Sequence, residues 1–127
     1  NAENYYLEKY IRPIWPEAQR APLRGVNDYG DYTGVSPFLV EAKKRKRLTG
    51  EFVKWVNTAI SKTRWAAHRE LRELGYPTPT DGMVKKRNKP WVIFMSGDKR
   101  NQPDIDLCVL PAELATRALS ALVHIEP

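Results

Sequence analysis

The longest pattern of hydrophobic and polar positions in this chain predicts an amphipathic helix. It begins at Thr49 or Gly50, either of which can cap a helix, and continues to about Leu74, where Gly75 and Pro77 end it. Because apolar residues recur at steps of three and four, one face of this helix is expected to pack on a core. The apolar positions are Phe52, Trp55, Val56, Ala59, Ile60, Ala66, Ala67, Leu71 and Leu74.

Shorter patterns on either side of this helix predict the rest of the fold. Apolar runs bounded by proline and glycine indicate strands, and three- and four-residue steps indicate helices. In chain order they predict a helix over 4–11, a strand and turn over 17–26, a tight connection over 27–34, a strand over 38–43, a hairpin of strands over 83–86 and 91–95, a polar loop over 97–106 and a helix over 111–122. This order is typical of an α/β fold with a mixed central β-sheet flanked by helices.

Length and composition indicate a folded globular protein. The chain has 127 residues, of which 42% are hydrophobic and 28% charged, so we expect a single domain over 1–127 rather than a disordered chain. No apolar run has the length of a membrane span, so no membrane partner is expected. Cys108 is the only cysteine, which excludes an internal disulfide and agrees with a cytoplasmic location. Asn1 is not a methionine, so the sequence is expected to begin inside a longer protein.

Positive charge is concentrated in two places along the chain. The net charge is +6, and a basic surface attracts polyanions, most commonly nucleic acid. One unbroken basic run covers 43–47, and a second cluster comprises Lys85, Lys86, Arg87 and Lys89. Taken alone, the first run is more typical of a solvated turn than of a nuclear localisation signal, but its position next to Glu41 favours DNA contact. The second lies at the predicted hairpin turn, where exposed charge is common, so phosphate contact and simple solvation are equally consistent with it.

The stretch that carries candidate chemistry is a glycine-containing turn followed by a strand. Successive side chains on a strand point to opposite faces, so Glu41 and Lys43 share one face while Val40 and Ala42 point to the core. Asp31 precedes this strand, in the turn. Asp and Glu oxygens are the ligands that Mg²⁺ prefers, and such an ion polarises a phosphate and lowers the pKa of a bound water. A neighbouring lysine stabilises the charge that develops on the phosphate. These residue types are the equipment of phosphodiester cleavage.

A family resemblance lies in the same stretch. This stretch resembles the PD-(D/E)xK nucleases, in particular phage-encoded Holliday junction resolvase-like proteins. The matching segments are Arg24-Gly25-Val26-Asn27-Asp28-Tyr29-Gly30-Asp31 and Val40-Glu41-Ala42-Lys43. Trp55 matches a tryptophan in the helix that follows this strand in the family. The resemblance covers roughly residues 3–95 and departs from the family pattern at Gly30, where a proline is usual. It implies a restriction-endonuclease-like fold and a single nuclease domain.

The resemblance also implies roles for individual residues. Asp31 and Glu41 would ligate Mg²⁺, for which Mn²⁺ can substitute, with the Ala42 carbonyl as a third ligand. Lys43 would act in catalysis. Glu3 would reach the metal from the first helix, with Glu8 as its rival because helical phase does not decide between them. Asp28 is an additional carboxylate without an assigned role.

The expected substrate is branched DNA, again by resemblance. The residues expected to contact DNA are Arg20, Arg24, Lys44, Arg45, Lys46, Arg47, Lys85 and Lys86. Two alternatives stay open: a restriction-like or repair endonuclease on duplex DNA, and a non-catalytic nucleic-acid-binding domain of the same fold. A cytoplasmic, phage-encoded protein in a bacterial host is implied.

A homodimer is expected, because a four-way junction has approximate two-fold symmetry and needs two matched cuts. Its contact surface is predicted on the long helix at Trp55, Val56, Ile60 and Trp65. The alternative is that these residues fill one core. The tryptophans Trp55, Trp65 and Trp91 are predicted to serve in a core or interface rather than as base-stacking platforms.

Overall fold

The structure, a computed structural model, describes residues 2–22, 30–45, 51–97 and 106–125, with the backbone alone for Arg45. Its first helix, α1 (Ala2–Tyr6), continues as a π-helical turn (Leu7–Ile11). The further elements are β1 (Gln19–Arg20), β2 (Tyr32–Thr33), β3 (Leu39–Arg45), α2 (Phe52–Glu73), α3 (Asp81–Arg87), β4 (Trp91–Gly97), β5 (Leu107–Val109) and α4 (Ala112–Ile125). This order confirms the mixed α/β class predicted from the sequence.

The central sheet has the strand order β3-β4-β5. Strands β3 and β4 are parallel, with Glu41 opposite Ile93 and Lys43 opposite Met95, whereas β4 and β5 are antiparallel. Parallel neighbours need a long crossover connection, and α2 and α3 lie in that connection. The sheet is therefore mixed, as predicted. Strand β5 lies just beyond the predicted polar loop and was not foreseen.

The hairpin predicted over 83–86 and 91–95 is wrong, because the first of its strands is the helix α3. The Thr80 hydroxyl accepts a hydrogen bond from the Met83 N–H at 3.3 Å and so caps the helix. Asp81 lies in the first turn, and the last turn is basic, which complements the helix dipole at both ends. Capping and charge at the two ends outweigh the short apolar pair from which a strand was predicted.

Two hydrophobic clusters cover opposite faces of the sheet. On one face, Val40, Val92 and Phe94 pack with residues of the N-terminal helix and of β2, among them Tyr6 and Tyr32. On the other face, the cluster comprises Trp55, Ala59, Ile93 and Met95. Since Glu41 and Lys43 are opposite Ile93 and Met95 in the sheet, both side chains lie on the face covered by α2.

Helix α2 confirms the predicted amphipathic pattern in its middle and departs from it at its ends. The predicted caps Thr49 and Gly50 lie outside the described residues. At the C-terminal end, Gly75 has a φ of +103°, the left-handed conformation that stops a helix. Phe52 and Leu74 are exposed rather than packed on the core. The buried positions are Trp55, Ala59, Thr63, Ala66, Ala67 and Leu71.

Of the predicted strand over 17–26, the described residues form only the short strand β1, and the Ala21 N–H next to it donates to the Asp31 carbonyl at 2.8 Å. Strand β1 forms a two-stranded antiparallel ribbon with β2, in which Gln19 is opposite Thr33 and Arg20 is opposite Tyr32. Residues 23–29 of the prediction lie outside the described part of the chain. The ribbon brings the turn that contains Asp31 to the free edge of β3, where Asp31 donates its N–H to the Val40 carbonyl at 2.9 Å.

Helix α4 is confirmed close to its predicted bounds, but none of its residues is buried. Four large apolar side chains on it are exposed: Leu119, Leu122, Val123 and Ile125. Across residues 2–22, 30–45, 51–97 and 106–125, no helix combines the length and apolar character that a bilayer crossing requires.

Candidate functional site

Glu41 is a buried carboxylate in the middle of the fold. It lies on β3 under helix α2, and only 2% of it is exposed. Its Oε1 atom forms an ion pair with the Lys62 ammonium, which comes from α2 and is itself mostly buried. Its Oε2 atom is buried and has no hydrogen-bond partner among the described residues. A carboxylate oxygen buried without a donor is costly, and a proton shared with the adjacent Asp31 carboxylate, or a bound cation, would relieve that cost.

Asp31 is held against β3 beside Glu41. Its Oδ2 atom accepts a hydrogen bond from the Ala42 N–H at 2.8 Å, in addition to the bond between its own N–H and the Val40 carbonyl. Backbone and side chain of Asp31 are thus both tied to the strand that carries Glu41. Because strand backbone is rigid, the two carboxylates keep a fixed relative position.

Gly30 makes this attachment possible. Its φ is +100°, and a Cβ atom built on it would lie 2.8 Å from the Val40 carbonyl oxygen. A side chain at this position would therefore be strained and would push the turn away from β3. Proline, which fixes φ near −65°, is incompatible with this turn. Glycine at position 30 therefore follows from how closely the turn approaches the strand.

The electrostatics of the pair favour either a proton or a bound cation. Burial, followed by the nearby Asp31 carboxylate, raises the pKa of Glu41 from the ordinary 4.5 to about 7, and the Lys62 ammonium only partly opposes the rise. The site therefore holds negative charge in excess of what Lys62 neutralises when both carboxylates are ionised. A divalent cation with oxygen ligands would supply the missing positive charge.

The residues that could hold such an ion are Asp31 and Glu41, with the Ala42 carbonyl as predicted third ligand. The unpartnered Oε2 of Glu41 and the adjacent carboxylate fit a hard cation. In the described part of the chain, no three or more Asp, Glu, His or Cys side chains come close enough to form a metal site by themselves. A metal bound here would therefore need backbone oxygen, water or substrate oxygen to complete its coordination.

Glu3 and Glu8, the two rivals for a first-helix ligand, are engaged elsewhere. A Glu3 carboxylate oxygen accepts hydrogen bonds from Arg20 at 2.9 Å, and Glu8 pairs with Arg12 one turn along the helix. Neither joins Asp31 and Glu41 in a cluster of three carboxylates. In this structure Glu3 and Arg20 form an ion pair with each other, and their metal and phosphate contacts stay predictions.

Lys43 lies where the sequence placed it, on the same face of β3 as Glu41. Its side chain is half-buried, and its backbone carbonyl is 3.4 Å from the Tyr6 hydroxyl, which donates to it. Lys62, the second lysine of this face, was not predicted. A signal for it was present, because position 62 is three residues after the buried Ala59 and four before the buried Ala66. A charged residue at core spacing indicates a buried partner.

The residues predicted to contact DNA fall into three groups. Lys44, Lys85 and Lys86 are exposed, Lys44 on β3 and the other two on α3. The Arg45 side chain is not described, and Arg24, Lys46, Arg47 and the unassigned Asp28 lie outside the described residues. Arg20 is paired with Glu3.

Two residues of the second basic cluster form ion pairs with a carboxylate of α2. Arg87 and Lys89 bind Glu70 of α2 with N–O distances of 3.0 and 2.5 Å. Burial raises the pKa of Glu70, but the hydrogen bonds from Lys89 and Arg87 outweigh it and lower the pKa overall. These two cations attach α3 to α2, so the cluster is partly structural.

The chain was compared with family models, curated proteins and solved structures, and none of them matches it. The class of protein is therefore inferred from the residues of the site and from the sequence resemblance.

Proposed function

We propose that this chain is a divalent-metal-dependent DNA endonuclease of the PD-(D/E)xK type, with Asp31, Glu41 and Lys43 at its active site. The observation that carries the proposal is the buried Glu41 carboxylate with the half-buried Asp31 carboxylate beside it, at the edge of β3. Glu41 keeps an unpartnered oxygen in a buried position, and Asp31 is fixed beside it. A buried carboxylate oxygen without a donor, next to a second carboxylate, is suited to a divalent cation and so supports a metal site.

In the proposed reaction each residue has a separate task. When bound, Mg²⁺ supplies Lewis-acid polarisation of the scissile phosphate and a water of lowered pKa. Asp31 and Glu41 hold the ion by their carboxylate oxygens. Lys43, on the same face as Glu41, stabilises the negative charge that the phosphate gains in the transition state. Lys62 holds the Glu41 side chain in position through Oε1 and leaves Oε2 available.

The fold agrees with this proposal at the level of its core. A strand that carries Glu41-Ala42-Lys43 pairs in parallel with a second strand across a helical crossover, and a turn carrying Asp31 packs on its free edge. We propose that this arrangement is the centre of a restriction-endonuclease-like domain.

Branched DNA is the proposed substrate, by the sequence resemblance, and two matched cuts in a junction require two copies of the site. The surface predicted for a dimer on α2 is wrong for Trp55, which is buried in the core, and Val56 packs against the same cluster. Helix α4 offers a better surface, because four large apolar side chains on it are exposed. We therefore place the proposed two-fold contact on α4.

A non-catalytic nucleic-acid-binding domain is the second candidate. The observation in its favour is the Lys62 ammonium on Glu41, since a lysine that neutralises a former metal ligand is what a domain without metal would need. Both candidates bind DNA, and only the first requires a divalent ion for an activity.

The deciding experiment uses a labelled four-way junction and a duplex of matched sequence, each with Mg²⁺ and with EDTA. We expect paired symmetric nicks in the junction with Mg²⁺ and none with EDTA. Glu41→Gln and Asp31→Asn should each reduce the rate by at least about a hundredfold, since each removes a ligand charge. Glu17→Gln, an exposed carboxylate away from β3, is the matched control and should cut normally.

The other results are equally informative. Cutting of duplex and junction at the same rate would favour the restriction-like or repair enzyme. Binding of both DNAs without Mg²⁺-dependent cutting would favour the binding domain. Cutting that survives Glu41→Gln would remove the carboxylate pair from the mechanism.

A further inference from the structure

An open groove lies on the outer face of helix α2, and Lys62 at its edge links it to Glu41. Its volume is about 510 Å³. All its lining residues lie on α2: Val53, Lys54, Asn57, Thr58, Ser61, Lys62 and Trp65. Trp65 was predicted for a core or an interface, and at 59% exposed it lies outside the core, in contrast to Trp55 on the same helix at 5%. A tryptophan exposed beside a valine, two lysines and three polar side chains is an uncommon surface composition.

We propose that this groove binds a single-stranded segment of DNA, with an unpaired base stacked on Trp65 and its phosphates near Lys54. The proposal deepens the proposed function, because it rests on DNA as the substrate and names the part of the substrate that this surface takes.

The chemistry of the lining favours a polyanion with exposed flat rings. Lys54 supplies positive charge for phosphates, and the side chains of Asn57, Thr58 and Ser61 supply hydrogen-bond donors. Indole faces stack on nucleobases, which is the usual means by which proteins hold single strands without regard to sequence. Trp65 is also oriented, because the His68 ring packs edge-on against it with the ring centroids 6.4 Å apart.

The occupant is a single strand rather than a duplex for a geometric reason. In a duplex each base is covered above and below by its neighbours, so an indole on the protein surface has no free face on which to stack. Unpaired bases occur at strand ends and near branch points, which are features of the proposed substrate. A second copy of this chain would also cover Trp65, but it would leave the lysine and the polar side chains without complementary partners.

The position of the groove relative to the carboxylate pair supports the same assignment. Lys62 belongs to both, because it lines the groove and its ammonium binds Glu41 Oε1. A strand lying along α2 would therefore pass beside the proposed metal site. The groove would hold the DNA that leads away from the phosphate to be cut.

The test measures binding of fluorescein-labelled dT12 by fluorescence anisotropy in EDTA, where no metal-dependent cleavage occurs. Trp65→Ala should weaken binding roughly 5- to 150-fold, the range for loss of one stacked base, and Trp65→Phe should restore most of the affinity. Tyr76→Ala, which removes an exposed aromatic side chain beyond the end of α2, is the matched control and should bind normally. A dT12·dA12 duplex should be bound almost equally by wild type and Trp65→Ala.

The phosphate part of the proposal has its own measurement. For Lys54→Ala, the slope of log affinity against log salt should fall by about 0.7, the value for one single-strand phosphate contact. Arg72→Ala, an exposed cation in the last turn of α2, should leave the slope unchanged.

Three results would overturn the proposal: unchanged dT12 binding in Trp65→Ala, an equal loss of affinity for single strand and duplex, or a change in sedimentation that accounts for the loss. The last would make the groove a contact between copies. The two proposals can fail independently. The single-strand proposal is tested by binding in EDTA, whereas the nuclease proposal is tested by comparing cleavage by the wild type and Glu41→Gln in Mg²⁺.

Discussion

At the scale of single residues, the site depends on one buried ion pair and one carboxylate oxygen without a partner. Lys62 neutralises part of the charge of Glu41 and Asp31. Removing one member of a buried pair is far more destabilising than removing both, because a single buried charge is left uncompensated. The contribution of this ion pair to the free energy of unfolding can therefore be measured without any assay of activity.

Lys62→Met is expected to lower the free energy of unfolding by about 3 kcal/mol in EDTA, because the buried Glu41 carboxylate loses its cation while the Asp31 carboxylate stays beside it. Mn²⁺ should raise the melting temperature of Lys62→Met more than that of the wild type, since the ion replaces the lost charge. Lys54→Met, an exposed lysine two turns earlier on α2, is the control. Equal stability of Lys62→Met and the wild type in EDTA would contradict the prediction.

The raised pKa of Glu41 predicts how stability depends on pH. The pKa is about 7 in the folded protein and 4.5 is the ordinary value expected for the unfolded chain. Between these values the folded protein holds a proton that the unfolded chain has released, so stability falls as pH rises and the loss is complete above about pH 7. Urea unfolding in EDTA should show the wild type losing stability relative to Glu41→Gln between about pH 5 and about pH 8. If the difference in stability between the wild type and Glu41→Gln does not change with pH, the pKa of Glu41 is ordinary.

Gly30→Ala is expected to destabilise the protein by about 1–3 kcal/mol, because a positive φ and a contact with the Val40 carbonyl both penalise a Cβ atom. Movement of the turn would also carry Asp31 away from β3, so cleavage should fall in the folded fraction. Gly82→Ala is the matched control, since the nearest atom to an added Cβ there is 4.0 Å away. Thermal unfolding and cleavage rates of the two variants provide the comparison, and similar behaviour would argue against the role of Gly30.

At the scale of elements, strand β3 separates two lysines that are adjacent in sequence. Pairing with β4 places Lys43 on the face covered by α2, together with Glu41, and the pleat of the strand places Lys44 on the opposite face. Their side chains have the same charge and length, so position alone distinguishes them. Alanine substitutions at Lys43 and at Lys44 therefore form a matched pair of variants.

Lys43→Ala should abolish cleavage and leave junction affinity within a few-fold, because its charge matters most when the phosphate gains charge in the transition state. Lys44→Ala, which removes only a predicted DNA contact, should weaken binding modestly and retain a saturated single-turnover cleavage rate close to that of the wild type. Single-turnover cleavage and equilibrium binding to the junction separate the two effects. If Lys43→Ala loses affinity as much as it loses cleavage, Lys43 is one phosphate contact among several.

At the scale of the whole molecule, α4 is a helix that packs little against the rest of the described protein. Its large apolar side chains are exposed, and none of its residues is buried. Contiguous exposed apolar surface of this kind marks contact sites in folded proteins. The proposed two-fold dimer would bury it and would provide two active sites at once.

A double variant, Leu119→Glu with Leu122→Glu, should convert the proposed dimer to a monomer, because four charges would meet across a two-fold contact. The monomer should nick one strand of a junction and lose the paired cuts. Sedimentation velocity at micromolar concentration measures the first effect and denaturing gels the second. Trp65→Ala is the control and should leave the dimer intact. A wild-type protein that sediments as a monomer would refute the two-fold contact.

The sequence by itself determined the local features of this protein. The apolar spacing located α2, and the strand pattern placed Glu41 and Lys43 on one face, because both signals depend on residues a few positions apart. The turn that carries Asp31 was recognised in the same way. In contrast, residues 83–86 were predicted wrongly, since two apolar residues are too short a pattern to separate a strand from a capped helix.

Only the tertiary structure decided which distant groups meet. The pairing of Lys62 with Glu41, the ion pair between Glu3 and Arg20, and the exposure of Trp65 depend on which elements pack together and at what angle. Parallel pairing of β3 and β4 joins segments about fifty residues apart, and no local spacing encodes such a contact. The periodicity of apolar residues predicts which face of a helix or strand is buried, but only the packed structure shows which element that face contacts.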